Sequence, residues 1–229
     1  MRSVQTGPAD ELAGDVAAFI HSDGFPCVGA KSALALGTLE MAESGRFDQP
    51  PDYRAIRQRL KAFGDLFEAS DAGDPLRAFL WGFTPGPVLS EEDFERHLWR
   101  HLQALHDLDA SQACPWALDV SDDPRSPEFS MSLAGHPYFV VGLHPGASRA
   151  ARRFERPLLA FNSHRQFAHL REDGRYGAMT EIIRARDAEA HGSINPMLGA
   201  HGVALQAPQY SGRQVPPDWR CPLRVRRPE

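Results

Sequence analysis

Lysine is nearly missing from this chain: of 25 basic residues only Lys31 and Lys61 are lysines, and the rest are arginine. We read that bias as GC-rich bacterial coding, because the arginines are spread along the chain rather than gathered in one place. Excess positive charge is missing too. The formal net charge of -5 gives no general attraction to nucleic acid or anionic lipid, and arginines cluster only between Arg149 and Arg156 and at the C-terminal end. Partners of either kind are therefore not expected. No apolar run approaches the roughly 18 residues of a membrane span. Met1 to Asp10 has neither an apolar signal core nor a cleavage pattern, so a soluble, cytoplasmic protein is expected. Cysteine is scarce, and Cys27, Cys114 and Cys221 cannot all pair within one chain, which fits a reducing compartment. The absence of Cys-x-x-Cys argues against a zinc ribbon. Absent as well are a G-x-S-x-G elbow, a Walker loop and a G-x-G-x-x-G turn, so the common hydrolase and nucleotide-binding signatures are lacking.

What is present begins with regular apolar spacing. Asp10 to Ser22 reads as a helix with Leu12, Val16, Phe19 and Ile20 inward, and Phe25 to Ala30 as a short extended segment. Lys31 to Ser44 is predicted as one helix rich in small residues. Asp52 is placed as the N-cap of a third helix carrying Ile56, Leu60, Phe63 and Phe67, and Ser90 as the cap of another carrying Phe94, Leu98, Leu102 and Leu105. Leu76 to Phe83 reads as a strand. Phe129 to Leu133 and Tyr138 to Leu143 form a hairpin turning near Gly135, with Pro157 to Phe161 beside it. Helices resume after Asn162. At 229 residues one mixed domain spanning 1–229 suffices, and the expected class is α+β, a small antiparallel sheet flanked by several helices.

Chemistry concentrates in HPYFVVGLHPGASRAARRFERPLLAFNSH, residues 136–164, where two strands each deliver a histidine near the C-terminal end around a basic loop. A strand fixes such a side chain while the loop leaves it accessible. A neutral imidazole can ligate heme iron and arginines can pair with heme propionates. The plainer reading makes His136 and His144 turn residues before prolines and the arginines a solvated patch. Without Cys-x-x-Cys-His, covalent c-type attachment is excluded. His97 and His101 have metal-ligand spacing on a helix, but their polar neighbours favour packing or solvated roles. The plain reading of the cysteines is buried free thiols, while each adjoins a proline that could present a thiolate to a metal. A Cys-His nucleophile pair using Cys27 or Cys221 stays open.

Several segments in order carry a resemblance: FPCVGAK from Phe25, HPYFVVGLHP from His136, SRAARRF from Ser148, FNSHRQF from Phe161, GSINPML from Gly192, QYSGR from Gln209 and WRCP from Trp219. Together they resemble the motif series of the YqcI/YcgG family. Characterised members are heme-dependent N-oxygenases acting on guanidino nitrogens of arginine-like amino acids, in pathways such as those to guanitoxin and D-cycloserine. The resemblance implies a b-type heme and a bacterial natural-product monooxygenase that uses O2 plus an electron donor, or peroxide, to N-hydroxylate an amine or guanidino nitrogen of a small-molecule substrate. It places the heme ligand among His144, His136 and His164. We expect His144, which ends the most apolar strand, to bind the iron, with His136 and His164 as catalytic or substrate-orienting groups. Arg149, Arg152 and Arg153 are expected on the propionates, and a Cys27 or Cys221 thiolate is the competing ligand. The alternatives are a non-catalytic heme-binding or redox/gas-sensing protein and a metal-free cysteine enzyme or ligand-binding domain. A homodimer is compatible with each.

Overall fold

The computed structural model describes residues 8–69, 73–193, 199 and 202–227. Helices α1 (Pro8–His21) and α2 (Val28–Ala35) precede strand β1 (Leu39–Arg46). Helix α3 (Tyr53–Asp65) leads to β2 (Ala78–Thr84), and α4 (Glu91–Ser111) to the hairpin β3 (Met131–Leu133) and β4 (His136–Leu143). Strand β5 (Leu158–Ser163) runs directly into α5 (His164–Glu172), and α6 (Arg175–His191) follows. The strands form one sheet in the order β1-β2-β5-β4-β3, antiparallel throughout except for the parallel pair β1 and β2. The class is α+β, with one parallel edge making the sheet mixed. Among the described residues no helix is long and apolar enough to cross a membrane.

Local chemistry sets most of these boundaries. Asp52 accepts the amides of Arg54 and Ala55 to start α3, and the Ser90 hydroxyl accepts the amide of Asp93 to start α4. The hairpin turns through Ala134 and Gly135, both at positive φ (53° and 81°), the twist that two antiparallel strands need. Residues Lys31 to Ser44 do not form the single helix predicted for them. Helix α2 stops at Ala35, Gly37 takes φ 64°, and Leu39 onward lies in register with Ala78 onward. Helix propensity favours Ala, Leu, Met and Glu by roughly a few tenths of a kcal/mol each, and the backbone ladder to β2 outweighs it.

The two faces of the sheet differ in side-chain size. On β2, Phe79, Trp81 and Phe83 point to one face and Ala78 and Leu80 to the other; on β5, Leu159 and Phe161 oppose Leu158 and Ala160. The bulky face packs solidly against α3 and α4 through Leu60, Phe63, Phe94, Leu98 and Leu102. Each such fully buried side chain contributes about 1.5–3 kcal/mol of transfer free energy. The opposite face is covered by α1 and α2, and its alanines leave room above the sheet.

Candidate functional site

That room is a cavity of about 440 Å³, within the size range of small-molecule sites. Its floor is Ala78, Leu80, Val141, Leu143 and Ala160; Val16, Phe19 and Ile20 of α1 and Gly29, Ala30 and Ala33 of α2 wall one side. Helices α5 and α6 wall another through Phe167, Arg171, Tyr176, Met179 and Ile183. Among the described residues of α6 only Asp187 is buried, at 3 % exposure, and it too lines the cavity. A helix whose buried side chain is a carboxylate is poorly explained by packing alone, because burying an anion is costly unless it meets a cation.

Cations are at hand. Arg149 in the β4–β5 loop brings Nη1 to 3.6 Å from Asp187 Oδ2 and donates to the Ser193 carbonyl at 2.8 Å. Arg152 is buried, donating to the carbonyls of Gly142 (3.0 Å), Tyr210 (3.3 Å) and Gln209 (3.1 Å). Burial presses its pKa down to about 10, against the pull of the Asp187 and Cys27 charges. Arg77, Arg171 and Arg184 line the cavity as well. Cys27 caps α2, its Sγ accepting the Ala30 amide at 3.4 Å, and its thiol faces the cavity wall. Burial pushes that thiol pKa up, more than the Ala30 and Gly29 amides and the Arg152 charge lower it. His164 opens α5 behind the Ser163 cap and lines the cavity, its Nδ1 lying 3.5 Å from Ser130 Oγ.

The structure thus brings Cys27, Arg149, Arg152 and His164 to one cavity. His144, His136 and Arg153 lie elsewhere. The His144 ring is 1 % exposed and stacks on Phe94 of α4, with centroids 4.1 Å and planes 12° apart. Its Nδ1 is buried without a hydrogen-bond partner, and burial lowers its pKa to about 4, more than the nearby Glu91 raises it. His136 points to α3, Nε2 at 3.0 Å from Asp65 and Nδ1 at 3.4 Å from Glu68, the latter without hydrogen-bond geometry. Arg153 braces its own loop through the carbonyls of Ala147 and Ser148, both at 2.9 Å. His101 is a packing residue, hydrogen-bonded to Tyr53 Oη at 2.9 Å and the Phe47 carbonyl at 2.8 Å. Exposed His97 contacts Arg100. Cys221 packs against the opposite core, its thiol pushed up to about 12 by burial. Among the described residues no three His, Cys, Asp or Glu side chains gather where they could hold a metal ion.

The sequence pointed to carboxylates of α6, Glu181, Asp187 and Glu189, as partners for a cationic substrate without choosing among them, and it missed the polar stripe that brings Asp187 to the cavity. Tyr176, Thr180, Arg184 and Asp187 recur at three- and four-residue steps, a polar stripe flanked by Met179 and Ile183 that marks one helix face. Residues 194–198 of the GSINPML segment lie outside the described residues.

The YqcI/YcgG family model matches residues 16–224. The chain is also 28% identical over 207 residues, covering 86% of it and 76% of the relative, to a Streptomyces lavendulae protein named "Putative N(omega)-hydroxy-L-arginine synthase DcsA". No solved structure matches. With the match covering nearly the whole chain and every described residue that lines the cavity, the chain belongs to the YqcI/YcgG family.

Proposed function

We propose that this chain is a heme-dependent N-oxygenase that hydroxylates one nitrogen of an arginine-like amino acid, with heme b and substrate sharing the cavity above the sheet. The observation that carries the reading is the make-up of that cavity: an apolar floor, one imidazole, one thiol and several guanidinium groups. These residues fit a heme, which needs an apolar slot, an axial donor and partners for its propionates. His164 is the ligand we assign, with the Cys27 thiolate as the competitor. Of the arginines first assigned to propionates, Arg152 is occupied by three carbonyls, Arg153 by two, and Arg149 faces Asp187. The propionates are therefore assigned to Arg77, Arg171 and Arg184.

Heme, when bound, supplies activation of dioxygen or peroxide. The chain's own groups bind, orient and exclude water: the apolar floor keeps solvent from the reacting nitrogen, and the polar walls fix the substrate. The net change is N–H to N–OH. With dioxygen, an external donor supplies two electrons and two protons and the second oxygen leaves as water; with peroxide no donor is needed. The name of DcsA supports arginine as the first substrate to try.

The test is spectroscopic and then chemical. Protein produced with adequate heme is expected to show a Soret band that His164→Ala alters and His144→Ala leaves unchanged. Incubation with L-arginine, reductant and oxygen, or peroxide, is expected to give a product heavier by one oxygen atom. Protein that stays colourless with added hemin sinks the reading. Heme uptake without product leaves a heme-binding sensor in its place.

A further inference from the structure

Asn162 is out of place in its strand. Leu158, Ala160 and Asn162 line the cavity from alternate positions of β5, and of the described strand residues that line it Asn162 alone is polar. Asparagine is a poor strand former, so chain conformation does not call for it. Nor does the helix that follows, because Ser163 is the N-cap of α5, its hydroxyl accepting the Arg165 amide. A carboxamide set among apolar side chains costs free energy unless its polar atoms find partners.

One half of that carboxamide has a partner. Asn162 Nδ2 donates at 3.4 Å to the carbonyl of Phe139, the residue opposite it on β4. A carbonyl can only accept, which fixes the amide nitrogen as the end toward Phe139 and leaves Oδ1 as the other. Oδ1 accepts from none of the described residues, yet it is not sealed in the interior. Gln166, a second carboxamide on the cavity wall, differs in having both ends engaged, by the amide and the carbonyl of Arg77.

The kind of acceptor matters for a guanidino ligand. Five arginines line the cavity, and each can only donate and repels a second guanidinium. Asn162 Oδ1 accepts a hydrogen bond and carries no charge. It can hold a guanidino N–H without adding a counter-charge that favours the protonated form, whose nitrogen lone pairs are delocalised and unavailable to an oxygen atom.

We propose that Asn162 is the specificity residue of the cavity, its Oδ1 accepting a hydrogen bond from an N–H of the substrate's guanidino group. This rests on reading the cavity as the site where an arginine-like amino acid is N-oxygenated. Asn162 and His164 are two residues apart, roughly 7 Å of extended chain, and both line the cavity. The bond therefore holds the reacting end of the substrate near the histidine assigned to the iron.

The test is equilibrium binding, by titration calorimetry on the protein as purified and without oxidant, with three ligands that share the α-amino acid head. L-Arginine and L-citrulline, which both carry terminal N–H groups, are expected to bind within a few-fold of each other. L-Norleucine, which carries none, should bind at least about tenfold more weakly. Asn162→Leu should abolish the preference for arginine over norleucine. Asn162→Asp supplies a charge in the same shape: it should favour arginine over citrulline at least about tenfold and move the pH optimum of turnover upward, since the carboxylate keeps the guanidinium protonated. An Asn162→Leu protein that still prefers arginine to norleucine overturns the proposal, as does equal weakening of all three ligands in both variants, which marks a purely structural role. Failure of arginine and citrulline alike to bind overturns it too. If the variants do not fold by circular dichroism, the three-ligand comparison on the unaltered protein decides, and norleucine bound as tightly as arginine is then the adverse result. Lost preference in Asn162→Leu without any oxygenated product from the unaltered protein keeps this inference and sinks the oxygenase reading. An oxygenated product with that preference intact does the reverse.

Discussion

His144 lies flat on Phe94, ring centroids 4.1 Å apart and planes at 12°. The relationship joins the end of β4 to α4 and puts this imidazole in the packed core, on the side of the sheet away from the cavity.

Acid stability follows from it. The unfolded chain takes up a proton on this histidine near pH 6.5, whereas burial makes the folded chain refuse it until about 4. Because the unfolded state binds more protons in that window, stability is lost as pH falls from 6.5 to 4. The loss is on the order of 3 kcal/mol for a fully buried site. His101, lowered to about 4 mainly by burial, adds a similar loss. His144→Phe keeps the stack on Phe94 and should shrink the drop in urea midpoint between pH 7 and pH 4.5. An unchanged drop would refute the assignment.

Arg152 is predicted to be structural first. Arg152→Met strips the Gly142 and Gln209 carbonyls of a charged donor, while the Tyr210 carbonyl keeps the Gly142 amide at 2.7 Å. Two buried acceptors left in this way cost about 2–4 kcal/mol. Urea unfolding measures it, and a change below about 0.5 kcal/mol, the size typical of an uninvolved surface position, would contradict the account.

Gly64 tests the contact between α3 and the sheet. Ala in place of Gly inside a helix ordinarily stabilises by about 1 kcal/mol. Here an added Cβ would overlap the His136 ring and sit 2.6 Å from Tyr138 Oη. Overpacking of that kind costs about 1–3 kcal/mol, and relief would require breaking the 2.6 Å bond from Tyr138 Oη to the Leu60 carbonyl. Gly64→Ala is expected to lower the melting temperature; a rise would show that α3 can move away.

Ala160→Phe fills the cavity from its floor. The added ring has open volume to enter, so the melting temperature should stay level or rise, while hemin uptake followed by absorbance should fall at least about tenfold. Undiminished uptake would place the heme elsewhere.

Much of the architecture was legible because local rules and tertiary packing agreed. Asp52 and Ser90 cap the helices they precede, and the Gly135 turn closes the hairpin. Strand β1 was not legible: LEMAES carries good helix formers, and only its partner β2, nearly forty residues on, makes it extended. The site was half legible. His164 and Cys27 line the cavity, as does Arg149, but His136 and His144 share the parity of Tyr138 and Val140 and so point to the packed face. Alternation along β4 told which residues face together, though not which face holds the cavity.

The unequal faces of the sheet also separate two demands that proteins usually meet with the same residues. Aromatic side chains toward α3 and α4 hold the fold, while small ones toward α1 and α2 shape the cavity. Substitutions at the small floor positions Ala78 and Ala160 therefore reshape the cavity without touching the aromatic core of the other face, which loosens the usual trade between stability and activity. Such a scaffold can change the shape of its cavity without being rebuilt.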